Sequence, residues 1–346
     1  MIKVLVVATS RKTRGGITAV VKAYEKGYQW AKYRCHWVQT HRDGSICCKL
    51  FYLVTAWGDF LLRIPFYDIV HVHISLQTSA RRKTPFVKVA KALGKKVIVH
   101  LHCGNQIESI WNSNYDYLFR IADVSVFLSE NLKNMVEAHT GQGRDYRVIY
   151  NPCPTIENLE PAHRKKVILF SGTLYKGKGY LDVIQAFSII ADKFPEWKLL
   201  FAGNGEIDKG KVYAEKVGVS ERVEFLGWVS GETKDRIFRE AAIFCLPSYA
   251  EGFPMAVLDA WAYGIPVVTT PVGGIPDIGV DNENMLLFEP GDVDRLAKQL
   301  EKIIISFESD KLLYYRIRAA SLDFAKNEFN AATINAQIGN LYEELL

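Results

Sequence analysis

Long hydrophobic runs are missing from this chain of 346 residues. No stretch of about twenty uncharged apolar residues occurs, so we expect no membrane-spanning helix. The start, MIKVLVVATS, enters a strand-like pattern at once and lacks the layout of a cleavable signal. The six cysteines form no C-x-x-C pair and no evident disulfide framework. We therefore expect a cytoplasmic protein with reduced thiols.

Acidic residues are scarce in the first part of the chain. Residues 1–150 hold 22 Lys and Arg against 10 Asp and Glu, a net charge of +12. The remaining residues hold 21 against 28, a net charge of −7. This asymmetry predicts an anionic partner for the first half. No helix-turn-helix, zinc-finger or RNP-like signature accompanies the charge, so an anionic membrane surface or a lipid phosphate fits better than nucleic acid.

Short apolar runs alternate with helical patterns along the whole chain, which is typical of parallel sheets flanked by helices. The run NPCP that begins at Asn151 interrupts this alternation and is interpreted as a linker. We therefore predict an α/β protein with domains at 1–152 and 153–330. Ligands of such sheets bind beyond the carboxyl ends of the strands, so motifs that directly follow strands are candidate sites.

The most informative motif is LPSYAEGFPMAVLDAWAYGIPVVTTPVGG, which begins at Leu246. Apolar spacing predicts a helix from about Met255. Glu251 then precedes the helix and Asp259 lies about one turn inside it. Backbone N–H groups of the first turn have no partner within the helix and favour an anion. Two carboxylates beside free amides suit a ligand that carries both phosphates and hydroxyls. The alternative is an ordinary acidic loop before an amphipathic helix.

This motif resembles the donor-sugar motif of the family 4 glycosyltransferases, which are retaining enzymes with the GT-B fold. That fold has two doubly wound Rossmann-like domains that face each other across a cleft. The resemblance implies that Glu251 contacts the sugar hydroxyls. Asp259, where the family has Glu, would contact the nucleotide ribose. The loop would contribute further donor contacts from Gly252, Phe253 and Met255.

The resemblance also implies a role for each domain. Residues 1–152 would bind the acceptor and would be completed by the last helix, 331–346. Residues 153–330 would bind the nucleotide sugar. Enzymes of this fold generally need no metal ion, no D-x-D-like motif is evident, and we expect no cofactor.

A glycine-rich loop, GTLYKGKG, begins at Gly172 after a predicted strand. It matches G-x-x-x-x-G-K of a P-loop, but Gly179 stands where a P-loop has Ser or Thr. It also resembles the family run G-R-L-x-x-x-K-G, which assigns Lys178 to the donor diphosphate. Thr173 replaces the family arginine and cannot make a bidentate charged contact. Lys176 is the nearest substitute, and a solvated surface position for Lys178 is the alternative.

Other matches to the family are weaker. Gly203 and Gly205 resemble a turn beside the nucleotide, although a plain strand-to-helix turn has the same pattern. Trp228 and Val229 lie where base contacts fall, with a core tryptophan as the alternative. Gly15 and Gly16 resemble an early loop that approaches the donor phosphates, because glycine lets the backbone come close.

Two H-x-H pairs, His71 with His73 and His100 with His102, end predicted strands. Residues i and i+2 share one face of a strand, so a zinc site is arithmetically possible. The resemblance instead assigns His102 to the donor sugar and acceptor, with His73 beside it. Core histidines are the alternative for His71 and His100.

Two segments suggest interfacial membrane binding. Residues 47–65 predict a helix with one apolar face, and residues 81–96 carry seven Lys and Arg. A core-facing helix beside a solvated basic helix is the alternative.

The favoured prediction is a retaining hexosyltransferase that moves a sugar from a UDP- or GDP-sugar to an acceptor hydroxyl. The acceptor would be a lipid-linked glycan of cell-surface polysaccharide synthesis, met at the inner face of the membrane. Its catalytic residues would be His102, Lys178 and Glu251. A GT-B protein that binds a sugar nucleotide without transfer, and a P-loop-like NTPase, are the alternatives.

Overall fold

The computed structural model describes residues 2–157 and 164–346. The described chain divides into two compact units. The first unit comprises residues 1–152 and 331–346, and the second comprises 153–330. Each contains one sheet of six parallel strands. The predicted α/β class with two doubly wound sheets is confirmed.

The first sheet has the strand order β2-β1-β3-β4-β5-β6. Its central strands are buried along their whole length, because helices cover both faces of a parallel sheet. The chain order reverses between the neighbouring strands β1 and β3. The carboxyl ends of these two strands therefore form the switch point, where such sheets bind ligands. The strands are Val4–Ala8 (β1), His36–Gln39 (β2), Ile69–Ile74 (β3), Lys96–Leu101 (β4), Val124–Phe127 (β5) and Tyr146–Val148 (β6).

Helices pack on both faces of this sheet. The first six follow the strands, and the seventh comes from the end of the chain: Gly16–Glu25 (α1), Tyr28–Lys32 (α2), Ile46–Arg63 (α3), Gln77–Ala92 (α4), Ser113–Ile121 (α5), Glu130–Thr140 (α6) and Ala331–Glu344 (α13). Buried hydrogen bonds hold α13 in place: Gln29 Nε2 donates to Asn335 Oδ1 at 2.7 Å, and the Tyr342 hydroxyl lies 2.8 Å from His71 Nδ1. The final helix therefore belongs to the first unit.

The second sheet has the strand order β12-β11-β10-β7-β8-β9. Its switch point lies between the neighbours β7 and β10. Its strands are Lys165–Ser171 (β7), Lys198–Ala202 (β8), Val223–Gly227 (β9), Ala241–Leu246 (β10), Val267–Thr269 (β11) and Leu286–Leu287 (β12). Its helices are Tyr180–Ile190 (α7), Ile207–Lys216 (α8), Gly231–Glu240 (α9), Met255–Ala262 (α10), Val293–Glu308 (α11) and Leu312–Asp323 (α12).

None of the helices in the described part of the chain combines the length and the apolar character that crossing a bilayer requires. The helix predicted from about Met255 begins at that residue and buries Val257, Leu258 and Trp261, as the spacing indicated.

Candidate functional site

The centre of the candidate site is an ion pair between Lys178 and Glu251, which are 73 residues apart in the chain. Lys178 follows β7 and Glu251 follows β10, so the two loops meet at the switch point of the second sheet. The Lys178 ammonium donates to Glu251 Oε1, and the Ser248 hydroxyl donates to the same oxygen at 2.7 Å. Both charged side chains are mostly buried, with 21% and 11% of their side-chain surface exposed.

Close backbone contacts fix the two loops against each other. The Tyr249 N–H donates to the Gly177 carbonyl at 2.9 Å. A Cβ on Gly179 would lie 2.0 Å from the Pro247 carbonyl oxygen, and this residue also has a φ of +66°. Only glycine fits there without moving the backbone. The glycine-rich sequence after β7 therefore serves to bring Lys178 to the β10 loop.

The Glu251 loop is held from its other side by the segment after β11. The Gly274 N–H donates to the Gly252 carbonyl at 2.7 Å, and a Cβ on Gly273 would lie 2.2 Å from that oxygen. The side chain of Phe253 is buried and stacks on Phe329, with ring centroids 5.3 Å apart. Phe253 can therefore serve a ligand only through its backbone. Beyond it, α10 begins at Met255, and the N–H groups of Met255 and Ala256 precede the first backbone hydrogen bonds of the helix, which Val257 and Leu258 donate to the Pro254 carbonyl.

A second ion pair lies one turn inside α10. Asp259 Oδ2 is 2.7 Å from the Lys234 ammonium of α9. Burial raises the pKa of Asp259, and Lys234 opposes that rise. Sequence reasoning missed Lys234, because nothing in the pattern of α9 distinguishes this lysine from the other charged residues of an amphipathic helix. The carboxylate predicted to meet a ribose thus already has a cationic partner.

The turns that follow β7 and β8 interlock. The Leu174 N–H donates to the Asn204 carbonyl at 2.7 Å. A Cβ on Gly203 would lie 1.7 Å from the Gly172 carbonyl oxygen, and one on Gly205 would lie 2.2 Å from that of Leu174. Both glycines are thus required by close backbone contact. Thr173, between Gly172 and Leu174, is exposed.

Trp228 follows β9 on the same edge of the sheet. Its backbone N–H donates to Asn204 Oδ1 at 2.8 Å, and 48% of the residue is exposed. The alternative of a core tryptophan is therefore wrong. Val229 beside it is half-buried.

In the first unit, Gly15 and Gly16 stand where α1 begins after β1. Gly15 has a φ of +139°, and nothing lies within 4 Å of a Cβ built on it. The backbone conformation, not packing, therefore requires glycine at this position.

The four histidines of β3 and the β4 segment stack in the core of the first unit. His73 Nδ1 lies 2.8 Å from His102 Nε2, and His71 Nε2 lies 3.3 Å from His100 Nδ1. The expectation that His73 sits beside His102 is confirmed. Burial lowers the pKa of His71 to about 3 and lowers the pKa values of the other three histidines. All four imidazoles are therefore neutral at physiological pH.

The same histidines could in principle hold a metal ion, because His71, His73 and His100 each place a ring nitrogen within 4.8 Å of the others. Both ring nitrogens of His71 already have partners, the Tyr342 hydroxyl and His100 Nδ1, and His73 Nδ1 lies 2.8 Å from His102 Nε2. We therefore interpret the group as a hydrogen-bonded core cluster.

The seven Lys and Arg of residues 81–96, predicted to face either a membrane or solvent, differ in their exposure. Lys83 is fully buried and donates to the His73 carbonyl and to Ser79 Oγ. Lys91 and Lys96 lie 2.8 and 3.9 Å from Asp123. The exposed cations of α4 are Arg81 and Lys88.

Residues 155–319, which lie within the second unit, match the family model described as "Glycosyl transferases group 1". This stretch therefore resembles a group 1 glycosyl transferase domain. It contains Lys178, Glu251, Asp259 and the two interlocked glycine turns. The sequence-based recognition of a glycosyltransferase is confirmed, while assignment to family 4 stays a prediction.

Two curated relatives resemble this chain over part of their length. The lipopolysaccharide 1,6-galactosyltransferase of Salmonella typhimurium is 30% identical over 194 residues, which are 53% of this chain and 53% of that protein. The D-inositol 3-phosphate glycosyltransferase of Corynebacterium jeikeium is 33% identical over 191 residues, 53% of this chain and 44% of that protein. The chain thus spans about half the length of these relatives.

The fold is similar to that of a solved structure. Anabaena Alr3699/HepE, crystallised in complex with UDP, superposes with a TM-score of 0.78 at 17% identity, over 99% of this chain and 100% of that one. The predicted GT-B fold class is confirmed by this likeness, which extends over both units.

Proposed function

We propose that this protein is a retaining glycosyltransferase that takes a sugar from a nucleotide-diphosphate sugar. The observation that carries the proposal is the Lys178–Glu251 pair at the switch point of the second sheet. A lysine beside first-turn helix amides suits a diphosphate. A carboxylate with one oxygen engaged by Lys178 and Ser248 retains an acceptor oxygen for sugar hydroxyls.

The remaining residues of the second unit would bind the nucleotide. The exposed ring of Trp228, with Val229, would contact the base. Gly203 and Gly205 would let the ribose or phosphates approach the backbone, together with Thr173 and the loop residues Gly252, Phe253 and Met255. Asp259 would contact the ribose while Lys234 balances its charge. UDP is the first candidate because the similar Anabaena structure was solved with UDP.

The reaction would break the bond between the anomeric carbon and the donor's phosphate oxygen. A bond from the acceptor oxygen would form on the same face of the sugar, and the acceptor proton would pass to the departing phosphate. Lys178 and the first-turn amides of α10 would stabilise the charge that develops on that phosphate. In the first unit, Gly15 and Gly16 would contact the donor phosphates. His102, neutral and held by His73, would contact the donor sugar and the acceptor.

The acceptor would be a glycan on a lipid diphosphate in cell-surface polysaccharide synthesis, used at the inner face of the membrane. The basic excess of residues 1–150 supports an anionic acceptor and an anionic membrane partner. The name of the Salmonella relative, a lipopolysaccharide galactosyltransferase, points to the same class of product.

The test is a thermal-shift screen over UDP- and GDP-sugars, followed by a donor hydrolysis assay with the best ligand. A ligand bound only by the native state adds about 2.7 kcal/mol at a hundredfold excess over Kd. We expect one nucleotide sugar to stabilise the protein and to be hydrolysed slowly without acceptor. Stabilisation without turnover would favour a sugar-nucleotide-binding protein, to which the Thr173 and Asp259 departures point. Mg²⁺-dependent ATP turnover would contradict the proposal.

A further inference from the structure

One face of α3 is apolar although it is exposed to solvent and does not pack against the rest of the first unit. Its large hydrophobic side chains are exposed, and another follows in the next turn: Ile46, Leu50, Phe51, Val54, Leu61, Leu62 and Phe66. Only the opposite side of α3 enters the core, through Ala56 and Phe60. The alternative in which this whole helix faces the core is therefore wrong.

The exposed apolar residues of α3 form one continuous face. At 3.6 residues per turn, the six from Ile46 to Leu62 cover an arc of about 160°. Only Cys47, Gly58 and the half-buried Trp57 share that arc, so it contains no charge. Trp57 stacks on Phe86 of α4 with ring centroids 4.0 Å apart, which fixes α3 beside α4 on the same face of the sheet.

The surroundings of this face are basic. Residues 41–96 hold ten Lys and Arg but only three Asp and no Glu. All three acids have partners: Asp43 lies 3.3 Å from His41 Nε2, Asp59 pairs with His36 and Arg63, and Asp68 accepts from the Lys3 N–H at 2.8 Å. Lys49 on α3 is exposed, and the Lys95 ammonium lies 3.3 Å from the carbonyl oxygen of Pro65, the residue before the exposed Phe66. Arg81 and Lys88 are exposed on the neighbouring α4.

We infer that α3 is a membrane-docking helix that lies in the surface of an anionic bilayer. Its uncharged arc would enter the acyl region, and the cations around it would meet anionic headgroups. This inference deepens the proposed function, because it assigns the contact with a lipid-bearing surface to a particular helix. Since α3 cannot span a bilayer, the expected contact is parallel to the surface.

A lipid surface fits this face better than a second copy of the chain. In a two-fold dimer through α3, the same patch would face itself, so the basic residues at its edge would face like charges. An anionic bilayer instead offers opposite charge around the patch and an apolar interior beneath it.

The experiment compares vesicle flotation of the full chain and the triple variant Phe51→Gln/Val54→Gln/Leu62→Gln. Vesicles are made of phosphatidylcholine alone or mixed with an equal part of phosphatidylglycerol. We expect the wild type to bind the anionic vesicles. The triple variant should bind at least about tenfold more weakly, because burying even one such side chain gives about that factor. Glutamine leaves the net charge unchanged and has a high helix propensity. The variant therefore tests the contribution of the apolar side chains to vesicle binding alone.

The matched control is Val212→Gln/Ile305→Gln/Leu312→Gln in the second unit. These residues are 66%, 49% and 74% exposed, close to the 65%, 69% and 76% of the tested three. The control should bind vesicles like the wild type. Equal binding by both triple variants, or no vesicle binding together with a dimer that the α3 triple variant abolishes, would overturn the inference. Stabilisation by a nucleotide sugar is measured in parallel, so that failure of the proposed function would be seen separately.

Discussion

At the switch point of the second sheet, Lys178 and Glu251 meet in loops that remain partly accessible. In the first sheet, His71, His73 and His100 lie within β3 and β4, where they are buried beside His102 and are neutral. The sheets share six parallel strands and one reversal of chain order, yet one presents opposite charges and the other a stacked neutral cluster. The fold therefore determines where a site lies, while the residues at that place determine which ligand chemistry it can support.

The largest expected effect belongs to Glu251→Ala. Because we propose that its carboxylate binds the transferred sugar, transfer should fall by about 10³-fold or more, near the upper range for removing one preorganised group. Glu196→Ala is the matched control, since Glu196 also pairs with a lysine of the second unit, Lys166, but lies away from the switch point. Steady-state transfer rates measure both. Near-normal transfer by Glu251→Ala would remove this residue from the site.

Lys178→Ala should lower kcat by about 10²–10³, because one charge stabiliser of the leaving diphosphate is lost. Lys166→Ala is its control. Thr173→Arg, which supplies the cation that the family carries at this position, should leave the protein active. If Lys178→Ala keeps its rate, Lys176 becomes the candidate for the phosphate contact and is tested in the same assay.

Acid should destabilise the first unit more than the second, since that unit contains four histidines whose pKa values are lowered by burial, His71, His73, His100 and His102. Burial lowers the pKa of His100. Below about pH 6.5 this side chain therefore binds a proton in the unfolded chain but not in the native state. The free energy of unfolding then falls as the pH falls, by about 1.4 kcal/mol per pH unit for each such histidine.

Urea unfolding of the full chain between pH 7 and pH 5 measures this slope. His100→Leu should make it shallower, whereas His139→Leu, which removes an exposed ring, should not. Equal slopes for the two variants would mean that the buried cluster does not govern the acid response.

The smallest effect is expected from Asp259→Glu, which restores the residue that the family carries. The longer side chain should keep its pairing with Lys234 and reach the ribose more easily, so nucleoside diphosphate affinity should stay equal or rise a few-fold. Titration calorimetry measures it. A large loss of affinity would indicate that the space around Asp259 is matched to the shorter residue.

Much of the fold could be predicted, because short apolar runs between turn residues indicate parallel strands. The alternation of short strands and helices along the chain is present in both units. The start of α10 was predicted because apolar residues recur there at helical spacing.

The site was predictable only in pieces. Lys178 and Glu251 were each found from local motifs, but their contact depends on β7 and β10 being neighbours. Lys83 was counted in a basic block that faces a membrane or solvent, because a lysine in a basic helix gives no local sign of burial. Lys234 was missed because its pairing with Asp259 is a tertiary contact. The outward direction of the α3 face likewise depends on how α3 packs beside α4.

The central claim, that Lys178 and Glu251 form a sugar-diphosphate site, is tested most directly by titration calorimetry. The ligands are the nucleotide sugar that best stabilises the wild type and its nucleoside diphosphate. For Glu251→Ala, we predict that the sugar's contribution to affinity disappears while the nucleoside diphosphate binds as before. For Lys178→Ala, both ligands should weaken together. A Glu251→Ala protein that still prefers the nucleotide sugar as strongly as the wild type would contradict the account.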